Sequence, residues 1–88
     1  MNDSAVKESV VVCKNSQGAE LRATPLRLTR YLAVFEIYTP TAALRTSEVL
    51  GEFKIVWNDR TLYSGRAIVS NLVNSGAVTV CEATLDDS

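Results

Sequence analysis

Three arginines within nine residues, Arg22, Arg27 and Arg30, followed at once by Tyr31, are the first side chains in this sequence whose types and spacing point to chemistry. Guanidinium groups grip phosphate oxygens in a bidentate fork, and a tyrosine ring offers a face on which a base or a cation stacks. A second polar cluster interrupts the apolar run "AIVSNLVNSGAVTV" at residues 67–80. There Asn71 offers both donor and acceptor atoms, Ser75 a hydroxyl, and Gly76 a backbone that a ligand approaches closely. Each cluster also has a plain structural reading. The arginines decorate a solvated strand and its turn, and Asn74-Ser75-Gly76 is ordinary turn chemistry. Strict alternation puts Arg22 and Arg30 on one strand face and Arg27 on the other, which favours the solvated reading.

The residues that usually carry catalysis are scarce. The sequence has no histidine, which removes the commonest general base and the commonest metal ligand. A carboxylate pair would have to be drawn from Glu36, Glu48, Glu52 and Glu82, and no spacing singles out two of them. No GxxxxGK[ST] loop, no GxGxxG turn and no CxxC pair is present. The expectation is a protein that is not an enzyme and that needs no cofactor or metal. Cys13 and Cys81 each sit in an apolar run and read as buried, reduced thiols. A disulfide joining the first and last strands is the lesser reading, because nothing points to secretion.

The elements that must position these residues read as strands. With 88 residues the chain is one domain, and a 47% hydrophobic, 22% charged composition is that of a globular one. Nine basic against ten acidic residues leave a net charge of −1, too acidic for a typical duplex-binding protein. No apolar run has signal-peptide or membrane-span length, so a cytoplasmic, bacterial-type location is expected. "SVVVC" is a strand, "KNSQG" its turn, and "AELRATPLRL" an alternating strand that Pro25 places at an edge or breaks. "RYLAVFEIY" is apolar on both faces and therefore central. Residues 39–50 fit no clear pattern. "FKIVW" and the strand after it form a hairpin on Asn58-Asp59, and Gly65 marks a bulge or bend. A last turn at Asn74-Ser75-Gly76 leads into "AVTVCEATL". The count is six to seven short strands with little helix: an all-β fold, a small antiparallel barrel or split barrel. Residues 1–7 read as a flexible N-terminus, 8–85 as the domain and 86–88 as the start of a linker.

On these residues the chain resembles PilZ-like domains, including those at the front of YcgR-like flagellar-brake proteins. That family carries an RxxxR motif followed by a strand-borne [D/N]xSxxG motif. "NLVNSG" matches the second, with Asn71 and Gly76 in place and Val73 where the family has serine. "LRATPLRLTRY" supplies arginines at Arg22, Arg27 and Arg30, although no pair has the RxxxR spacing. Only twelve residues follow Gly76, where the family's barrel would need several more strands. The resemblance implies a regulatory module, the N-terminal domain of a larger bacterial signalling protein, that works through contact with a protein partner or the rest of its own chain, with a homodimer expected. Its second implication is a cyclic di-GMP sensor in which Arg22, Arg27 and Arg30 contact phosphate or guanine and Asn71, Ser75 and Gly76 hold the base edge. Exposed Tyr38, Trp57 or Tyr63 would anchor a protein interface, although core placement is the stronger reading for Trp57.

Overall fold

The computed structural model describes residues 9–38 and 44–86. They form six strands: β1 (Ser9–Lys14), β2 (Glu20–Leu28), β3 (Leu32–Ile37), β4 (Val49–Trp57), β5 (Arg60–Ser75) and β6 (Val78–Asp86). Every pairing is antiparallel, and the order β1-β2-β3-β6-β5-β4 closes on itself through the β1–β4 ladder. Two three-stranded meanders, β1-β2-β3 and β4-β5-β6, are thereby joined along both seams. The all-β barrel expected from the strand count is the observed architecture. It closes with β6 alone after Gly76, so no further strands are needed. The expected flexible N-terminus at 1–7, the start of the 39–50 stretch (39–43) and the last two residues lie outside the described residues, as does Glu8.

Alternation decides what the barrel encloses. Val11 and Cys13, Ala33, Phe35 and Ile37, Ala67 and Val69, and Cys81 and Ala83 point inward, with Leu21, Ala23, Leu28, Leu50, Phe53 and Ile55. Four alanines among these inward residues make room for two large rings: Phe35 and Phe53 sit 5.8 Å apart at the centre, and Tyr63 meets Phe53 edge-on at 6.0 Å. A small barrel filled by alternating small and large residues is a packed core with no channel. Trp57 is only half-buried at the end of β4 and does not belong to this core.

Local irregularities explain where strand reading went astray. Pro25 does not end β2, which runs on to Leu28, but the β1 ladder stops at Ala23, so at Pro25 the strand is paired with β3 alone. Opposite β3 the register slips between Pro25 and Arg27, so Leu26 is an extra residue. A bulge of this kind reverses the alternation beyond it. β4 begins at Val49, ahead of the expected Phe53, and carries its own bulge at Gly51-Glu52, where Glu52 takes a positive φ of 48°. Gly65 lies opposite Phe53, where a Cβ would stand 2.9 Å from the Tyr63 hydroxyl and 3.1 Å from the Asp86 carbonyl. Its missing side chain is what lets Tyr63 fold back to donate to the Arg66 carbonyl at 2.7 Å. β5 is a long strand of 16 residues, so not every strand is short. Asp86 belongs to β6 and is held by Arg66 at 2.9 Å.

Candidate functional site

The arginine cluster is spread along one side of the barrel. Arg22 faces outward in the middle of β2, opposite Val12, with a loose 3.7 Å ion pair to Glu20. The bulge at Leu26 turns Arg27 outward as well, so the parity expected from strict alternation does not hold for it. Arg30 lies past the end of β2 in the turn to β3, its guanidinium 5.6 Å from the centre of the Tyr31 ring. At ~3.3 Å per residue, the stretch from Arg22 to Leu28, where β2 ends ahead of Arg30, already spans roughly 20 Å. Arg22 and Arg30 do not converge on one phosphate. Arg30 borders a pocket of about 210 Å³ lined by Leu28, Ile55, Leu62, Tyr63 and Leu85 at the mouth of the barrel.

The second cluster sits at the opposite end. β5 and β6 pair down to Ser75↔Val78, and Gly76-Ala77 makes a two-residue turn with Gly76 at φ 70°. A positive φ at the first turn position alone is the type II′ pattern, and it is why glycine stands there. A Cβ at Gly76 would meet nothing within 4 Å, so its conformation and not its small size is what the fold uses. Asn71 lies at a register slip opposite Glu82, and its Oδ1 accepts a 3.0 Å hydrogen bond from the N–H of Leu72. Asn74 Oδ1 accepts from the Thr79 hydroxyl at 2.7 Å. Ser75 closes the hairpin through its backbone. Arg30 lies just before β3, which begins at Leu32↔Thr84, and the hairpin tip lies beyond Ile37↔Thr79, so Arg30 and Gly76 are at opposite ends.

One pair from the two clusters does share a row. The registers Arg27↔Val34, Val34↔Glu82 and Glu82↔Asn71 place Arg27 and Asn71 on the same outer row, three strands apart. At ~4.8 Å per strand that is about 14 Å, with the Glu82 carboxylate between them. A dianionic ligand spanning the row would have to lie over that carboxylate.

Two other polar constellations belong to the framework. Glu48 Oε2 accepts from the Ser16 N–H at 2.8 Å, and Oε1 from the Arg45 N–H at 2.9 Å. Burial pushes its carboxyl up, but these hydrogen bonds outweigh it and hold the group below its ordinary value. Lys14 and Glu52 pair at 2.9 Å across the β1–β4 seam, where the β4 bulge turns Glu52 toward β1. Cys13 and Cys81 are free, buried thiols on opposite walls of the barrel. Burial pushes both up to about 12, so neither is a nucleophile at neutral pH. Among the described residues no group of three His, Cys, Asp or Glu is placed to share a metal ion, and no helix is long and apolar enough to cross a membrane.

Sequence reading missed the outer apolar face. Leu32 and Val34 of β3, Val80 of β6, Ile68 and Val73 of β5 and Val49 of β4 all point outward. The rows join them: Val49↔Ile68↔Thr84↔Leu32 is one, and Glu36↔Val80↔Val73 another. Val73 is 52% exposed, and Tyr38 beside this face 56%. The signal was the two-sided apolar pattern of residues 30–38. In a closed barrel only one face of a strand is inside, so such a strand leaves its other apolar face uncovered.

No family model matches this chain, and neither a curated protein nor a solved structure resembles it closely enough to count as a match.

Proposed function

We propose that the chain is a non-enzymatic, PilZ-like regulatory module of a larger bacterial signalling protein, and that it acts by presenting the outer face of β3, β6 and β5 to a protein partner. The observation that carries this reading is where the apolar surface stays uncovered. Ile68 and Val49 are exposed on one row and Val73 on another, with half-buried Leu32, Val34 and Val80 on the neighbouring strands. Apolar side chains gathered on one outer face mark a surface that is covered in an assembly. Glu82 and Asn71 lie on the row between, with Arg27 and Glu36 at the margin, and these polar groups would set register and orientation. The sensor reading has one observation in its favour, the shared row of Arg27 and Asn71, and the intervening Glu82 works against it.

A photo-crosslinking residue placed at Ile68, compared with one at the exposed Lys54 on the β1–β4 side, tests the reading in cells that express the natural protein. A discrete product from position 68 and none from position 54 is the expected result. Equal yields from both would remove the face from consideration. Calorimetric titration with cyclic di-GMP separates the sensor reading. Saturable heat that is lost in Arg27→Ala would replace the interaction module with a receptor, and absence of heat is expected.

A further inference from the structure

The long strand β5 outruns its neighbour. β4 pairs with it only as far as Val49↔Ile68, and the loop before β4 adds Ser47 N–H to the Val69 carbonyl at 2.7 Å and Val69 N–H to the Glu48 carbonyl at 2.9 Å. Beyond that point, among the described residues, β5 has β6 on one side and no strand on the other. The barrel is therefore closed around its middle, and among the edges it leaves between the described residues is a short one at residues 71–75.

The hydrogen-bond phase of that edge follows from the hairpin. A two-residue turn makes Ser75 and Val78 a hydrogen-bonded pair, and alternation then directs the backbone groups of Val73 and Ser75 to β6 and those of Leu72 and Asn74 outward. The Asn71 side chain agrees with this phase, since its Oδ1 occupies the Leu72 N–H that points away from β6. Natural edges are guarded by lysines, prolines, inward charges, shortness or a bulge, and of these the edge has only its shortness and the neighbouring bulge at Ser70. Residues 67–81 contain neither a charged residue nor a proline, in a chain that is 22% charged.

We propose that this edge is the pairing strand of a symmetric dimer, in which a second copy of the chain adds its own β5 antiparallel around a two-fold axis at Val73. Self-complementarity selects the second copy as the occupant. With the axis at Val73, Leu72 of one copy stands opposite Asn74 of the other, and each pair exchanges two backbone hydrogen bonds. Val73 then faces its own counterpart in the closer, non-hydrogen-bonded type of pair, and these two β-branched side chains meet on the outer surface. Both copies offer the same neutral strand, so no like charges oppose one another. Asn71 acts as a removable cap: it satisfies the Leu72 N–H in the single chain and must release it for the partner's carbonyl. The inference does not depend on the partner-binding face proposed above, which such a dimer would leave open on both barrels except at Val73.

Sedimentation velocity over a concentration series, with amide exchange read at Leu72 and Asn74, tests the pairing. The wild-type chain is expected to dimerise in the micromolar range, with both amides becoming protected as dimer forms. Val73→Lys, at an exposed outward position, sets two ammonium groups face to face and should weaken the dimer at least about tenfold while leaving the monomer fold intact. Asn71→Ala removes the competing cap and should tighten the dimer several-fold, which keeps the test decisive should the lysine disturb the strand. A monomer at millimolar concentration would overturn the proposal, and so would a dimer indifferent to Val73→Lys or weakened by Asn71→Ala. Protected amides in a monomer would overturn it too, because they would mean that the chain covers its own edge.

Discussion

Asn71 shows how a residue chosen by its chemistry is engaged by its own backbone. Its acceptor oxygen is committed to the next N–H along the strand, and the glycine five positions on is there for its φ. The same scale governs the cysteines. With their ionisation pushed up to about 12, Cys13 and Cys81 carry only ~1 thiolate in 10⁴ at pH 8. Alkylation of the native chain at that pH should therefore be at least about a thousandfold slower than in urea, and should rise with denaturant along the unfolding curve. Rapid native labelling would contradict the buried placement of both thiols. Glu48 yields a pH dependence with a definite sign. Its carboxyl is held below its ordinary value in the folded chain, so its contribution is fully present above that value and is lost as pH falls through the lowered one. Glu48→Gln keeps one acceptor and turns an NH₂ toward the other amide. After solvent screening it should cost roughly 1 kcal/mol at neutral pH and flatten the acid limb of the stability profile, from the ordinary carboxylate value downward. Parallel urea titrations of both proteins at several pH values would show whether the two profiles converge in acid.

At the scale of elements, turns were easier to read than strands' relation to one another. The Asn58-Asp59 pair announces its turn because both residues tolerate left-handed backbone, and they adopt φ of 51° and 63°. Asp59→Gly should therefore relieve strain and stabilise the hairpin by about 0.5 kcal/mol, a shift visible in the thermal midpoint. A loss of stability would mean that the Asp59 side chain contributes more than its backbone costs. Alternation separated the faces in the first half of β2, Leu21 and Ala23 inward against Glu20, Arg22 and Thr24, because that stretch is regular. It failed at Arg27 because one extra residue, Leu26, inverts parity, and nothing in "TPLRL" announces which residue a bulge will exclude. Proline was the clue: it stands where the β1 ladder has ended, and beside it the register with β3 slips. The outer apolar face was legible only as a surplus: residues 30–38 have more apolar positions than one buried face needs. Deciding which face would be buried required knowing that the barrel closes, a property of pairings between residues far apart in sequence. The same holds for the candidate site. Arg27 and Asn71 share a row through Val34 and Glu82, and no local pattern carries that information.

For the whole molecule the decisive quantity is how little core an 88-residue chain affords. Stabilities of about 0.05–0.15 kcal/mol per residue give roughly 4–13 kcal/mol for a chain of this length. Much of that rests on the two rings at the barrel centre, since most other inward residues are small or medium-sized aliphatics. Phe53 is fully buried and touches both Phe35 and Tyr63, from different strands, so its ring ties β4 to β3 and to β5 at once. Phe53→Ala removes the ring and leaves a void that the barrel collapses poorly to fill, because β4, which carries it, is held by β1 and β5 over most of its length, and β3 opposite is held by β2 and β6. The expected cost is about 3–5 kcal/mol, enough to bring a stability near the lower end of the range close to zero. Phe53→Leu, which refills much of the volume, should cost clearly less. Urea unfolding at low protein concentration, where pairing between copies adds no stability by mass action, measures both. If the alanine variant loses less than about 1 kcal/mol, the ring does not fill the centre of the barrel and the stability must come from elsewhere in the wall. If it loses several, closure of the barrel explains why: the arrangement that removes most free edges also removes the freedom to adjust around a missing side chain.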